Sequence, residues 1–261
     1  MLELVNHARL DPLAEADFFD IDLNEGLEPN TISSDPKMPL AMNTLLIDAA
    51  RDHSQWMLDA NTFSHTGEGG STIGERIQAA GYEYSLAGEN IAWIGQQGTI
   101  DLVDAIYDHH EGLFLSPGHR VNILREGFYE LGVGQRAGSF TNDEGIELDA
   151  SSMLTQNFGR SSEGDETFFI TGVMYEDIDN DDFYSVGEGL SGVVIEFEDA
   201  FYETFGAGAY ALPVSAGTHD LIFYHDEFEE PIAYTVDVAD ANFKLDIIGD
   251  IPTEYGIEYG V

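Results

Sequence analysis

Four acidic residues stand at spacings typical of a calcium loop. In "YEDIDNDDFYSVGEGL" the carboxylates of Asp177, Asp179 and Asp181 alternate, and Glu188 takes the twelfth place counted from Asp177. In such loops alternating oxygen ligands curl round the ion, a late glutamate closes the shell, and the seventh residue supplies its backbone carbonyl. The seventh residue here is Phe183. The spacing therefore predicts a calcium site formed by these five residues.

This loop departs from the EF-hand pattern in two ways. Its sixth place is Asp182, where the sharp turn of an EF-hand takes glycine. The flanking segments "GVMY" and "GVVIEF" are typical of strands rather than helices. The alternative is an acidic hairpin in an acidic protein, since the chain has 50 acidic residues among 261. Carboxylates this close repel one another unless a cation neutralises them, so the spacing favours calcium.

A histidine follows a predicted turn in "LSPGHRVNIL". Pro117 and Gly118 predict the turn, His119 comes directly after it, and an apolar run that includes Val121 and Ile123 follows. A turn of this kind would fix the backbone that presents the imidazole. Histidine titrates near neutrality, so His119 could act as an acid or a base, or bind a metal such as zinc.

Composition excludes several classes of function. The formal charge is −41, from 9 basic and 50 acidic residues, so neither nucleic acid nor an anionic membrane surface is an expected partner. The chain has no cysteine, which excludes disulfides and thiol catalysis. It contains no "GxSxG" or "HExxH" motif and no apolar stretch long enough to span a membrane. Such acidity is typical of a solvated surface in a salty medium, as in halophilic or marine organisms.

Helical periodicity dominates the chain up to about residue 160. Pro12 interrupts or restarts the first helix, residues 21–39 are loop-like, and Asn43 or Thr44 can cap the next helix. Two further helices are predicted over residues 71–80 and 99–114. The segments "ELGVGQRAG" and "SSMLTQNFG" then predict two strands joined by an acidic loop.

The second half of the chain consists of short apolar runs separated by glycine and proline. Segments such as "SGVVIEFE", "HDLIFYHD" and "IAYTVDV" alternate in the manner of strands, and their spacing predicts a small antiparallel β-sandwich. The expected organisation is a first domain over 1–160, a linker over 161–166, the calcium-binding β-sandwich over 167–248, and a C-terminal tail over 249–261.

Four motifs of the first domain occur in an order that resembles a known family. "LVNHAR", "FSHTG", "GENIA" and "SPGHRVNIL" together resemble the bacterial branch of the CAP superfamily, which includes cysteine-rich secretory proteins, antigen 5 and plant pathogenesis-related 1 proteins. The resemblance covers roughly residues 1–160. It implies an α-β-α sandwich, in which an antiparallel sheet lies between helical layers, and hence an α+β protein once the second domain is added.

The resemblance also implies a cleft lined by two histidines and two glutamates. His65 and His119 match the histidines and Glu89 the first glutamate, while the second normally lies on the helix before "PGHR", where Glu111 or His110 could take its place. Two imidazoles and a carboxylate can bind zinc, or act as an acid and a base. The alternative is a buried histidine–glutamate pair with a purely structural role.

Two other histidines are predicted to lie outside this cleft. His53 falls on the apolar face of its helix beside Trp56, so it is expected to be a core or rim residue. His109 is expected on the exposed surface of its helix.

The calcium loop and the strands after it resemble a second family. The pattern "GEGLSGVVI" and the later "GAYALPVSAGTHDLIF" are similar to bacterial surface B-type repeats, which are immunoglobulin-like or prealbumin-like sandwiches with a calcium loop between strands. The resemblance covers roughly residues 168–245. It implies a spacer or adhesion module.

Taken together, these features predict a secreted CAP-domain protein whose cleft binds a small molecule, a lipid, a cell-surface ligand or a divalent metal. A signal peptide, absent from residues 1–10, would have been removed. The expected cofactors are calcium in the second domain and zinc in the cleft. One rival is a secreted metal-dependent hydrolase, a peptidase or esterase, that uses His65, Glu89 and His119. Another is a structural surface protein with a vestigial cleft.

Overall fold

The computed structural model describes residues 1–163, 167–226, 228–249 and 256–259. The chain divides into two compact units. The first comprises Met1–Lys37 and Asn43–Glu163, and the second comprises Met38–Met42 and Gly164–Val261. Half of the expected linker, residues 164–166, and most of the expected tail lie outside the described residues. Residues 38–42, which fall inside the expected first domain, belong to the second unit.

The first unit contains six α-helices and three long strands within its described residues. The helices are α1 (Leu2–Leu10), α2 (Pro12–Phe18), α3 (Thr44–Asp59), α4 (Ile73–Ala79), α5 (Asp104–Leu115) and α6 (Pro117–Ile123). The strands are β2 (Tyr84–Gln96), β3 (Glu130–Thr141) and β4 (Glu147–Ser161), and β1 (Ala41–Met42) precedes them in the second unit. A short 3₁₀ helix covers Glu68–Gly70.

Local signals in the sequence set the helix starts. Pro12 stands in the first turn of α2, and the Asp11 side chain caps that helix by accepting a hydrogen bond from the amide of Ala14. Asn43 caps α3 in the same way, accepting from the amides of Leu45 and Leu46. Both starts follow the usual preference for Asp or Asn at the cap and for proline just inside.

Successive side chains of the central strand β4 point alternately to two helical layers. It pairs antiparallel with β3 on one side and with β2 on the other. Thr155 points to α3, where its hydroxyl contacts Ser54, whereas Ser152 points to α5, where its hydroxyl contacts the His109 ring. Because successive strand residues face opposite sides, helices cover both faces of this sheet. The unit therefore has the α-β-α layering expected from the sequence.

Two glycines let α3 pack directly on the sheet. A Cβ atom on Gly132 would lie 2.1 Å from the backbone of Leu46, and one on Gly134 would lie 2.2 Å from the backbone of Arg51. Any side chain at these positions would push α3 away from β3. The strand β2 lies at the edge of this sheet.

Two local expectations were wrong. Residues 117–123 form the helix α6 rather than a turn, and Pro117 lies in its first turn, where its fixed φ is favourable and its missing amide proton costs nothing. His109 is buried rather than exposed, since this side of α5 packs against the sheet. Within the described residues no helix is long and apolar enough to cross a membrane.

The second unit contains two four-stranded sheets. One has the order β10-β9-β6-β7 and the other β12-β11-β5-β8. The strands are β5 (Phe168–Tyr175), β6 (Val194–Phe197), β7 (Ala200–Glu203), β8 (Ala209–Val214), β9 (Gly217–Tyr224), β10 (Ile232–Val238), β11 (Phe243–Ile248) and β12 (Gly256–Tyr259). One cluster of buried apolar side chains takes residues from both sheets, among them Ile170 and Leu245 from one and Ile195 and Leu221 from the other.

One strand pair differs from the expected antiparallel arrangement. β5 and β11 run parallel, with Phe243 opposite Ile170 and Ile247 opposite Met174, while the other described pairs of this unit are antiparallel. Parallel neighbours need a long connection between them, and here the whole of β6 to β10 intervenes. The unit is therefore a mixed rather than a purely antiparallel structure.

Candidate functional site

Glu89 lies at the edge strand β2 and is almost wholly buried. It stands opposite Asn157 of β4, on the side of the sheet that α3 covers. Its Oε1 accepts a hydrogen bond from Nδ1 of His65 at 2.8 Å, and its Oε2 accepts one from Nη2 of Arg76. Both carboxylate oxygens are thus engaged by side chains.

Arg76, on α4, joins this carboxylate to the loop that carries His65. Its Nη1 donates to the carbonyls of Ser71 at 2.9 Å and His65 at 3.1 Å, while Nη2 donates to Glu89. The Nε atom is buried and has no hydrogen-bond partner. One guanidinium therefore fixes the loop and neutralises the buried carboxylate.

His65 faces solvent on its far side. Its side chain is 58 % exposed, against 3 % for Glu89. Because a carboxylate can only accept, Nδ1 of His65 is the donor in their hydrogen bond. Nε2 then lies on the opposite side of the ring and is available to a ligand.

His119, on α6, approaches the same edge from the other helical layer. The amide group of Asn90 donates to the His119 carbonyl at 3.3 Å, and that of Asn122 donates to the Glu89 carbonyl at 3.2 Å and to Oδ1 of Asn90 at 2.9 Å. These bonds hold α6 against β2. Burial lowers the pKa of His119, and the nearby His65 lowers it further. Nδ1 of His119 is buried without a partner.

His53, on α3, completes the inner wall. Its Nε2 donates to the Ser64 carbonyl at 3.0 Å and lies 3.9 Å from Oε2 of Glu89. The ring stacks on Trp56 with 5.6 Å between centroids. Desolvation lowers the pKa of His53 despite the nearby carboxylate. With Nε2 as the donor, the buried Nδ1 is an acceptor, and it has no partner.

The two residues proposed for the fourth cleft position lie elsewhere. Nε2 of His110 is bonded to the buried Glu15 at 2.7 Å, and Glu111 is exposed. Burial opposes the ionisation of Glu15, but hydrogen bonds from His110 and His7 lower its pKa to about 2. Successive residues of a helix point about 100° apart, so α5 directs His109 to the sheet, His110 to Glu15 and Glu111 to solvent.

The side chain that binds the second oxygen of Glu89 is Arg76, which was not predicted from the sequence. One signal could have found it. The chain has only 9 basic residues beside 50 acidic ones, so each arginine on a helix near the cleft motifs is a candidate partner for a buried carboxylate.

In the second unit, three of the predicted calcium ligands converge. Asp177, Asp179 and Glu188 each offer an oxygen within 4.8 Å of the others. Among the described residues this is the only such group of three histidine, cysteine, aspartate or glutamate side chains. Asp181 is not part of this group, and its Oδ1 accepts from the amide of Phe183 at 2.8 Å.

The backbone of this loop wraps round its own carboxylates. Asp177 accepts from the amides of Asp181 and Asp182, at 3.1 and 3.2 Å. Glu188 accepts from the amides of Ile178 and Ser185, at 2.9 and 2.7 Å. These bonds curl the chain so that its carboxylates point inward.

Asp182 stands at the sixth place of the loop, where an EF-hand has glycine. Its φ is 59°, the left-handed conformation that glycine adopts easily and that aspartate tolerates better than most residues. The pKa of Asp179 is raised by partial desolvation and by the carboxylates of Asp181, Glu188 and Asp177. The loop therefore concentrates negative charge that the chain itself does not neutralise.

Comparison with known proteins identifies the first unit. A family model described as CAP, the cysteine-rich secretory protein family, matches residues 2–143, more than half of the chain. The chain belongs to the CAP family. The expected resemblance is thus confirmed for the segment that carries His65, Glu89 and His119. The acidic loop lies beyond this match, and its resemblance to B-type repeats stays a prediction.

Two bacterial CAP relatives are similar over part of their length. The Bacillus subtilis (strain 168) protein named uncharacterized protein YkwD is 36% identical over 96 residues, which cover 37% of this chain and 34% of that protein. The 1.5 Å crystal structure of an extracellular protein containing a SCP domain from Bacillus anthracis str. Ames is 37% identical, with a TM-score of 0.36. The match covers 48% of this chain and 35% of that one. The chain therefore spans about a third of the length of either relative.

A third structure is more distant. An outer surface protein of Borrelia burgdorferi is 18% identical over 47% of this chain and 78% of its own, with a TM-score of 0.33.

Zinc in the CAP cleft stays a prediction. His65 through Nε2 and His119 could each supply an imidazole, but Arg76 already holds the Glu89 carboxylate. A divalent ion beside that guanidinium would have to displace it, or complete its shell with water. The donor set accordingly fits two protein ligands rather than the three of a catalytic zinc centre.

Proposed function

We propose that the CAP unit binds a small organic ligand or a lipid outside the cell, at the cleft formed by His65, Glu89 and His119. The cleft acts as a binding site and not as an efficient active site. The match to the cysteine-rich secretory protein family supports an extracellular role.

The observation that carries this proposal is that both carboxylate oxygens of Glu89 are bound by side chains of the protein. A general base or a catalytic metal ligand needs an oxygen directed at the reacting group or the ion and not already held by a cationic side chain. Here His65 takes one oxygen of Glu89 and Arg76 the other. Neither His65 nor His119 is hydrogen-bonded to a serine hydroxyl among the described residues, so an activated nucleophile is also missing from this part of the chain.

What the cleft does offer is suited to binding. Nε2 of His65 faces solvent, while Nδ1 of His119 is buried and unpartnered, so a ligand with a polar group can satisfy an atom that the protein leaves open. Satisfying such a buried atom on binding is favourable, since leaving it unmade costs free energy.

The test is a histidine-observed NMR titration of the whole chain. We expect palmitate, as a lipid probe, or a member of a water-soluble fragment library to shift the ring signals of both His65 and His119. The shifts should disappear in His119→Ala. The hydrolase alternative would replace this proposal if generic peptide or ester substrates are turned over rapidly and the folded His119→Ala variant loses that activity.

For the second unit we propose a calcium-stabilised spacer or adhesion module. The support is the convergence of Asp177, Asp179 and Glu188, together with the left-handed Asp182 that replaces glycine. Asp181 and the Phe183 carbonyl, also predicted as ligands, belong to the same proposal. Calcium, a hard cation, prefers such an all-oxygen shell.

A further inference from the structure

A groove between α3 and α4 opens next to the cleft, and two residues that surround Glu89 line it. Its volume is about 390 Å³, within the range of small-molecule sites. His53 and Arg76 belong both to this groove and to the surroundings of Glu89. We propose that the groove binds a small hydroxylated amine of the amino-sugar type, an inference that rests on the proposed binding function and names its ligand class.

The charge of the groove selects a cation. Three carboxylates line it, those of Asp52, Glu68 and Glu75. The lining cation, Arg76, is already neutralised by Glu89. Hydrogen bonds from Thr72 lower the pKa of Glu75, which keeps this carboxyl ionised at neutral pH. An ammonium group would thus meet a surplus of negative charge.

Two residues of the lining each carry an unpartnered polar atom, and these two atoms define the rest of the ligand. The His53 side chain is fully buried, and its Nδ1 is an acceptor without a donor. Nε of Arg76 is a buried donor without an acceptor. A hydroxylated ligand supplies both partners, because a hydroxyl group can donate to His53 and its oxygen can accept from Arg76. A simple metal ion would satisfy only one of these atoms, since the His53 lone pair could bind it but a cation cannot accept a hydrogen bond from Nε of Arg76.

The apolar part of the wall suits the carbon skeleton of a sugar ring. The lining includes the indole of Trp56 together with Ala79 and Ala80. Aromatic rings offer a flat apolar surface with a negative face, which attracts both C–H groups and cations. Charge, hydrogen-bonding atoms and shape therefore all point to the same class of ligand.

Three probes that differ by one feature test this inference on the full chain. Glucosamine carries the amine and the hydroxyls, N-acetylglucosamine lacks the charge, and glucose lacks the nitrogen. Trp93→Phe leaves Trp56 as the one tryptophan of the chain, so its fluorescence reports binding in the groove. We expect glucosamine to bind, with an affinity that falls as salt is added, and the two neutral sugars to bind at least tenfold more weakly.

Matched variants locate the binding site. Asp52→Asn should weaken glucosamine binding about two- to fivefold, as expected for an exposed charge pair. Asp48→Asn, one turn earlier on the same helix and outside the groove, should leave it unchanged. His53→Gln, which can still donate to Ser64 but offers no acceptor at the Nδ1 position, should weaken binding without changing its salt dependence. Circular dichroism confirms that each variant is folded.

The outcomes separate this inference from the proposed function. Equal binding of all three sugars, no binding of glucosamine, or equal effects of Asp52→Asn and Asp48→Asn would overturn the amino-sugar assignment. If glucosamine fails while palmitate or a fragment still shifts the His119 signal, the groove assignment is wrong and the cleft keeps its binding role. If the His119 signal also stays fixed with every probe, both proposals are wrong.

Discussion

Arg76 and Glu89 form an ion pair that joins α4 to the edge strand of the CAP sheet. The two residues lie 13 positions apart in the chain, and the carboxylate is 3 % exposed, the guanidinium 11 %. Removing the arginine would leave a buried carboxylate with His65 as its one remaining side-chain partner at hydrogen-bond distance. Losing one member of a buried pair is costly because the other charge stays buried without compensation.

Arg76→Ala should therefore lower the free energy of unfolding of the CAP unit by about 3 kcal/mol. The matched control is Arg51→Ala, an exposed arginine on α3, for which we expect a change below about 0.5 kcal/mol. Chemical denaturation followed by tryptophan fluorescence measures both, since Trp56 and Trp93 lie in this unit. Equal effects of the two substitutions would contradict the structural role of the pair.

The second prediction concerns the electrostatic link between the two cleft histidines. His65 lowers the pKa of His119 in addition to the effect of burial. In His65→Gln the pKa of His119 should rise toward its ordinary value but stay below it, because the desolvation by burial remains. A pH titration of the His119 ring signals by NMR measures this shift. An unchanged pKa would mean that the two rings are too far apart to share one cleft.

The third prediction follows from the burial of His109. Burial lowers its pKa from 6.5 to about 4, and the hydrogen bond with Ser152 offsets this only in part. Between pH 6.5 and about pH 4, the His109 side chain is therefore protonated in the unfolded chain and neutral in the folded chain. His109 contributes stability above pH 6.5, and this contribution is lost as the pH falls toward 4. Linkage gives a loss of about 3 kcal/mol over that window.

His109→Gln should remove this pH dependence. The glutamine does not titrate but can still bond to Ser152, so the variant tests the proton and not the hydrogen bond alone. The free energy of unfolding is measured between pH 4 and 7 by tryptophan fluorescence. If the variant and the original protein lose stability in parallel as the pH falls, His109 is not the group that titrates.

Local signals made the helical framework of the CAP unit predictable. Asn43 at the cap of α3, Pro12 at the start of α2 and the apolar period through Leu46, Ala50 and Met57 depend on neighbours only a few residues away. Such signals do not depend on the rest of the fold. The order of the four CAP motifs likewise identified His65, Glu89 and His119 without any knowledge of the contacts between them.

The remaining features depend on contacts between distant parts of the chain. Pro117 suits both a turn and the first turn of a helix, and only packing against α1, α5 and β2 favours the helix. Burial of His109 depends on which helix face meets the sheet. The Arg76–Glu89 pair joins two elements whose spacing in the chain carries no pattern. Residues 38–42 join the second unit through contacts such as that of Asn242 with the Pro39 carbonyl.

The last prediction is that calcium stabilises the second unit through its acidic loop. The pKa of Asp179 is raised by desolvation and by the surrounding carboxylates. Without a cation, the loop is therefore favoured at a pH below the ordinary value of an aspartate and disfavoured as the pH rises through the raised value. An ion that binds only the folded loop adds about 2.7 kcal/mol at a hundredfold excess over its dissociation constant. Calcium should offset the destabilisation at neutral pH.

Hydrogen exchange of the full chain, followed by mass spectrometry, tests this loop directly. We expect excess calcium to protect the amides of residues 177–188 and the strands β5 and β6, and a chelator to remove this protection, while α3 and β4 of the CAP unit change little. Asp179→Asn should abolish the response to calcium because it replaces a converging carboxylate. Asp199→Asn, an exposed aspartate of the same unit outside the loop, should respond as the original chain does. Identical exchange with calcium and with chelator, at low and at high salt, would show that the carboxylates of Asp177, Asp179 and Glu188 are ordinary acidic surface.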